Sequence, residues 1–277
     1  MERLFILGAQ KTGTSTMTGL LNSNKNIFVL FEADLFARKI TREYRKKIFC
    51  DRYPKAKNVF GNTRGKHLYD ELHNVLPNDY RYFGDKIPGF RYDVLNKLSE
   101  DKVIFTVRNV RTWLCKEHII KTYSTDKDIV GPAIDYCIYI LRAAKLKNIL
   151  FVRMEDLIYD NLSTIDRINE FLDTAIINKW WALVGSWAEH NPKYYWPWTT
   201  KHRSSYLEPK KEDVDIDEMH NEFLKRFLPI FDKYYNNISI TIDSQSIDKD
   251  IDKLENLRVK YKSPLSKCFR FKQQVIV

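Results

Sequence analysis

A glycine-bracketed loop near the start of this chain constrains its fold more than any other feature. Leu4-Phe5-Ile6-Leu7 is a continuous apolar run. Such a run marks a short strand buried on both faces, as in parallel sheets. Gly8-Ala9-Gln10-Lys11-Thr12-Gly13-Thr14-Ser15 follows at once. Beyond it, Met17, Leu20 and Leu21 recur at the spacing of a core-facing helix over 15–21. Strand, glycine loop and helix in that order make a phosphate cradle. Backbone N–H groups turn inward, and the positive end of a helix points at the anion.

Gly8-x4-Gly13 copies the glycine spacing of a P-loop. A P-loop kinase or NTPase carries Lys and then Ser or Thr directly after the second glycine. That lysine reaches the β- and γ-phosphates, and the hydroxyl holds Mg²⁺. Here those positions hold Thr14 and Ser15, and the lysine of the loop is Lys11. A mid-loop lysine surrounded by Thr12, Thr14 and Ser15 suits a compact 5′-phosphosulfate. Transfer from such a donor leaves charge on the bridging oxygen, which a lysine can stabilise without a metal.

Downstream, apolar runs predict strands at 27–31, 103–107 and 149–152. Helices are expected over 112–123, 133–146, 165–172 and 223–235. Residues 51–83 are turn-rich and give no order. Strands alternating with helices predict an α/β fold: a P-loop-like parallel β-sheet flanked by helices on both faces. Residues 1–237 read as a single domain. Residues 238–277 read as a basic C-terminal extension, with a short helix at Ile247, Ile251 and Leu254 and then a tail. Trp180 to Trp198 holds five of the six tryptophans, which suits core and lid packing or the wall of a binding site.

Hydrophobic residues at 44% and charged residues at 30% are ordinary for a globular protein. The net charge of +10 suits an anionic partner. No nucleic-acid-binding motif is present, so nucleic acid is not expected. The four cysteines are scattered without metal spacing, and no metal is expected. No signal-like segment follows Met1 and no apolar stretch is long enough to span a membrane, so the expected location is the cytoplasm. From Arg258 to the end there is no acidic residue. That composition suits a solvated end, or peripheral contact with an anionic membrane or an acidic glycan.

Gln10-Lys11-Thr12-Gly13-Thr14-Ser15 resembles the 5′-phosphosulfate loop of the sulfotransferases that use 3′-phosphoadenosine 5′-phosphosulfate (PAPS). The resemblance implies that Lys11 is catalytic and that Gln10, Thr12, Gly13, Thr14, Ser15 and Thr16 cradle the 5′ end of PAPS. Arg108, ending the strand 103–107 ahead of Asn109-Val110-Arg111, resembles the family's 3′-phosphate segment. Guanidinium geometry fits that phosphate, although an arginine ending a strand is also common on surfaces. Where the family places a serine eight residues later, this chain has Lys116. Gly84-Asp85-Lys86-Ile87-Pro88 is similar to the Glu-Lys-x-Pro segment of carbohydrate-type members, whose lysine approaches the sulfuryl group. From local sequence it reads equally as a turn before a helix. In those members an acid after the second strand is the general base, which implies Glu32 ahead of Asp34 and Asp85. Small-molecule members use a histidine instead, and His67, His73 and His118 are present without a marking context. Lys201 and Arg203 resemble a late basic loop that closes over the nucleotide.

The resemblance thus implies sulfuryl transfer from PAPS to a hydroxyl or amine, with a carbohydrate or glycoconjugate as the expected acceptor. A P-loop kinase or NTPase is the alternative enzyme, with Glu155-Asp156 able to stand as its Mg²⁺ ligand. A non-catalytic binder of nucleotide or acidic glycan is the third reading.

Overall fold

The computed structural model describes residues 2–22, 24, 26–32, 80–114, 119, 129–176, 218–237 and 243–261. Strand β1 (Glu2–Gly8) leads through the glycine loop to helix α1 (Thr14–Asn22) and strand β2 (Ile27–Phe31). Then come β3 (Tyr82–Pro88), the short α2 (Tyr92–Leu95), β4 (Lys102–Val107) and α3 (Val110–Leu114). Helix α4 (Val130–Ala143), β5 (Ile149–Arg153), α5 (Met154–Tyr159) and α6 (Asn161–Leu172) follow. Two long helices close the described chain, α7 (Glu218–Asn236) and α8 (Ser244–Lys260).

The strands form one five-stranded sheet in the order β2-β3-β1-β4-β5, with every pairing parallel. Side chains alternate across it, as a pleated strand requires. Leu4 and Ile6 of β1 pack with Met17, Leu20 and Leu21 of α1 and with Leu157, Ile165 and Ile168 of α5 and α6. Phe5 and Leu7 pack on the other face with helices α2, α3, α4, α7 and α8. The result is the helix–sheet–helix sandwich expected for an α/β chain. Helix α4 is buried almost all round, from Val130 to Leu141. Such a helix is held by packing rather than by an amphipathic stripe.

Two differences from the sequence reading have clear causes. Strand β3 was not expected at all, and the segment 84–90 read as well as a turn. Gly84, Asp85, Lys86 and Pro88 all disfavour strands by propensity. Tertiary contact overrides this. A Cβ on Gly84 would lie 1.6 Å from the carbonyl oxygen of Leu4 on β1, so only glycine fits against the neighbouring strand. Pro88 is the last strand residue, and the Gly89 N–H supplies the next bond, to Gly8 O at 2.9 Å. Helix boundaries also shift. Helix α4 starts at Val130, not 133, because Pro132 is tolerated in a first turn whose N–H groups have no helical partner. Helix α3 starts at Val110, not 112. Asn109 caps it, its Oδ1 accepting from the Arg111 N–H at 2.9 Å. The remainder of the helix expected over 112–123 lies largely outside the described residues, as does the tryptophan-rich segment.

The helix expected in the C-terminal extension is α8, capped by Asp243, whose side chain accepts from the Ser246 N–H. Ile247 and Leu254 bury into the same core as α4 and α7. Arg258 pairs with Asp135 of α4. Asp250 accepts from Lys233, Lys253 and Tyr234, each at 2.7 Å. Burial pushes the Asp250 carboxyl upward, but these three donors outweigh it and hold it down at about 2. A lowered carboxyl stabilises the fold above its unfolded value, and that stabilisation is lost as pH falls through the folded value. Because Lys233 and Lys253 reach it from solvent and are screened, Asp250→Asn is expected to cost about 1 kcal/mol at neutral pH. It should also flatten the acid limb of a melting-temperature profile between roughly pH 4 and pH 2.

Candidate active site

The carboxyl ends of the strands share one edge of the sheet. From β1 the chain moves toward β2, and from β4 it moves toward β5, so the two connections diverge beside each other. In open parallel sheets the crevice at such a switch point is where ligands bind. The loop 9–13 and Arg108 both sit there.

The loop is seated by close backbone approach. Gly8 has φ 151°, and a Cβ there would lie 2.4 Å from Thr106 Oγ1 and 2.6 Å from Thr106 O of β4. The Thr106 hydroxyl donates to Leu7 O at 3.3 Å and lies 3.0 Å from Thr12 Oγ1. Thr12 Oγ1 donates to Ala9 O at 2.7 Å, closing the turn. Gly13 has φ 99°, and a Cβ there would lie 2.4 Å from the Met154 sulfur of α5. Between these two glycines Lys11 takes φ 66°. A left-handed conformation costs a residue with a Cβ about 1–2 kcal/mol, so the surroundings must hold it. The Lys11 and Ser15 side chains are exposed, Gln10 and Thr16 are half-buried, and Thr12, Gly13 and Thr14 are buried. Behind the loop, the first turn of α1 carries no acidic residue, leaving its positive end to an outside anion.

A second group adjoins the loop. Lys86, 1% exposed, lies on the face of β3 that carries α1. Its Nζ donates to Glu32 Oε1 at 2.5 Å and to Ser15 Oγ at 3.3 Å. Glu32 follows β2 with φ 60°, and its N–H donates to Lys86 O at 3.1 Å. The structure thus joins Glu32, Lys86 and Ser15. It does not bring Asp85 to them. Asp85 is wholly buried and belongs with Phe83 and Ile87 on the opposite face, because adjacent strand residues alternate. Asp34, Lys116, Lys201, Arg203, His67, His73 and His118 lie outside the described residues.

Arg108 is wholly buried beneath the loop. Its Nε donates to Thr112 Oγ1 at 3.1 Å, and its Nη1 donates to Lys11 O at 3.4 Å. Sequence reasoning missed the residues that support it. Tyr136 of α4 clasps the Arg108 backbone, and Trp113 of α3 donates to Gln10 O at 2.7 Å. Their only signal in the sequence was a largely apolar helix and an aromatic five residues past the arginine. Glu155 was read as a potential Mg²⁺ ligand. Instead its Oε1 accepts from the Asn109 N–H at 3.0 Å and its Oε2 from the Tyr235 hydroxyl at 2.7 Å. Burial and this carboxylate both push the Tyr235 hydroxyl far upward, so it stays a donor. Among the described residues no three His, Cys, Asp or Glu side chains gather where a metal could sit. None of the described helices is long and apolar enough to cross a membrane.

No protein-family model and no curated protein matches this chain. Solved structures do. The sulfotransferase domain from the curacin biosynthetic pathway superposes with a TM-score of 0.53 at 14% identity, covering 94% of this chain and 97% of that one. The sulfotransferase domain of the Synechococcus PCC 7002 olefin synthase gives 0.47 at 15% identity, covering 94% of each chain. A mouse sulfotransferase complexed with PAP gives 0.46 at 11% identity, covering 90% of this chain and 88% of that one. The parallel sheet flanked by helices is the sulfotransferase fold.

The Thr106 hydroxyl is the seam between loop and sheet. Thr106→Val keeps its shape and removes its hydrogen bonds. The expected loss is about 1–2 kcal/mol, read as a lowered midpoint in urea unfolding.

Proposed function

We propose that this chain is a PAPS-dependent sulfotransferase. One observation carries the reading. On a sulfotransferase fold, a glycine loop with an exposed mid-loop lysine is joined through Ser15 to a buried Lys86–Glu32 pair. The exposed loop face and the uncompensated α1 N-terminus fit the 5′ end of an anionic donor. Arg108 is the cation for the 3′-phosphate.

The reaction is an in-line displacement. The acceptor oxygen bonds to sulfur as the bond from sulfur to the 5′-phosphate oxygen breaks. The electron pair of that bond stays on the phosphate oxygen, where the Lys11 ammonium meets it. The acceptor proton passes to Glu32. Lys86 holds the Glu32 carboxylate at the loop and offers positive charge to the sulfuryl oxygens. The resemblance of Glu32 and Lys86 to the carbohydrate-type members supports a hydroxyl of a carbohydrate or glycoconjugate as acceptor, with an amine as the variant.

The competing P-loop kinase reading is separated by a melting experiment. With 3′,5′-adenosine bisphosphate (PAP) at about 100 times its dissociation constant, stability should rise by roughly 2.7 kcal/mol. ATP with Mg²⁺ should do less, and a response to ATP–Mg²⁺ alone would overturn the proposal. Incubation with radiolabelled PAPS and a pooled panel of oligosaccharides, glycolipids, phenols and amines then reads transfer. Lys11→Ala should lower turnover by about 10²–10³-fold while PAP still binds. Unchanged turnover removes the role given to Lys11, and binding of PAP with no transfer to any acceptor would leave only a binding protein.

A further inference from the structure

One buried tyrosine reaches the phosphate loop by two routes. The Tyr136 hydroxyl accepts from the Arg108 N–H at 2.7 Å and donates to the Arg108 C=O at 2.8 Å. Arg108 extends beneath the loop to the carbonyl of Lys11. The Tyr136 ring stacks on Trp113, with centroids 4.5 Å apart and planes 21° from parallel. The Trp113 indole N–H donates to the carbonyl of Gln10. Two consecutive loop carbonyls, Gln10 and Lys11, are thus held from below. Both aromatic residues are wholly buried, so water does not compete for the two Tyr136–Arg108 bonds, while the bonds to the loop carbonyls are part-buried.

The consequence falls on Lys11. A trans peptide is planar, and its C=O and N–H point in opposite directions. Fastening the Gln10 carbonyl turns the Lys11 N–H away from Trp113. Fastening the Lys11 carbonyl fixes the rotation on the other side of the same Cα. The φ of 66° at Lys11 is one a lysine does not choose by itself. Gripped on both flanking peptides, its backbone has one arrangement, and that arrangement aims the exposed side chain.

We propose that Trp113 and Tyr136 are positioning residues that set the direction of Lys11 without touching the donor. This rests on the sulfotransferase reading and adds the source of its precision. The same wiring gives Arg108 a second duty, as the link between Tyr136 and the loop. Near-attack geometry is steep: a displacement of about 1 Å at a reacting group can cost on the order of 100-fold in rate.

Tyr136→Phe keeps the ring and its stacking and removes only the hydroxyl. Trp113→Phe keeps an aromatic ring and removes the indole donor. The two substitutions test the two arms separately, so a folding failure in one leaves the other decisive. Each protein is assayed about 15 °C below its own melting temperature. Conversion of radiolabelled PAPS to PAP with the pooled acceptors gives kcat, and calorimetry gives PAP affinity. The expected result is a kcat lowered about 10–100-fold with PAP affinity within about threefold. The deciding measurement combines each change with Lys11→Ala. If the two residues act by aiming Lys11, they should change the residual turnover of Lys11→Ala by less than about twofold. The same penalty on that background, wild-type turnover in both single variants, or an equal fall in PAP affinity and kcat would each overturn the proposal. A wild-type protein that neither binds PAP nor consumes PAPS would instead remove the sulfotransferase reading beneath it.

Discussion

The close approach of β4 to the end of β1 is the constraint on which this structure turns. Gly8 has no side chain because Thr106 occupies the space one would need. The Thr106 hydroxyl then meets both the strand it touches, at Leu7, and the loop that leaves it, at Thr12. Two residues after Thr106 comes Arg108, and its place beneath Lys11 follows from the same seam. On the far side of the loop, Gly13 admits the Met154 sulfur. The loop is therefore set by the sheet from two directions. Its hydroxyls divide accordingly: Thr12 serves the fold, while Ser15 stays exposed.

Lys86 supplies the second physical theme. A lysine on an inner strand of a sheet is costly to desolvate. Replacing a buried ion pair by apolar residues is often neutral or stabilising. The fold nevertheless keeps Lys86 at 1% exposure, paired with a glutamate in a left-handed conformation and bonded to the loop serine. Charge kept in an expensive place, beside a phosphate-type loop at a switch point, supports the site proposed above. The surrounding frame is correspondingly rigid, with Tyr136, Trp113, Glu155 and Tyr235 tying α4, α3, α5 and α7 to the strand ends.

Much of the architecture was legible before the structure. β1, β2, β4 and β5 are apolar runs of strand length, and α1 and α8 show helical spacing. Each is a local pattern, and local patterns survive in the sequence. Strand β3 was not legible, since its own residues argue for a turn. Its identity comes from β1 and β2, which pair with it on either side. The same holds within the site. Lys11 was marked by its displaced position in a glycine loop, and Glu32 and Lys86 by resemblance. That Lys86 and Glu32 form one pair, and that Asp85 points to the other face, depends on a strand that the local pattern did not reveal.

The sequence by itself determined the class of fold and marked its first loop as the candidate anion cradle. Glycine spacing, an apolar strand and an amphipathic helix act over a few residues, and their chemistry is written in order along the chain. Tertiary structure decided which side chains meet. Gly8 and Thr106, Lys86 and Glu32, Tyr136 and Arg108, Trp113 and Gln10 are each far apart in sequence and meet only where the parallel strands end together. For Lys11 this division is sharpest: the loop sequence names the residue, and contacts from distant residues hold the carbonyls of Gln10 and Lys11 from beneath.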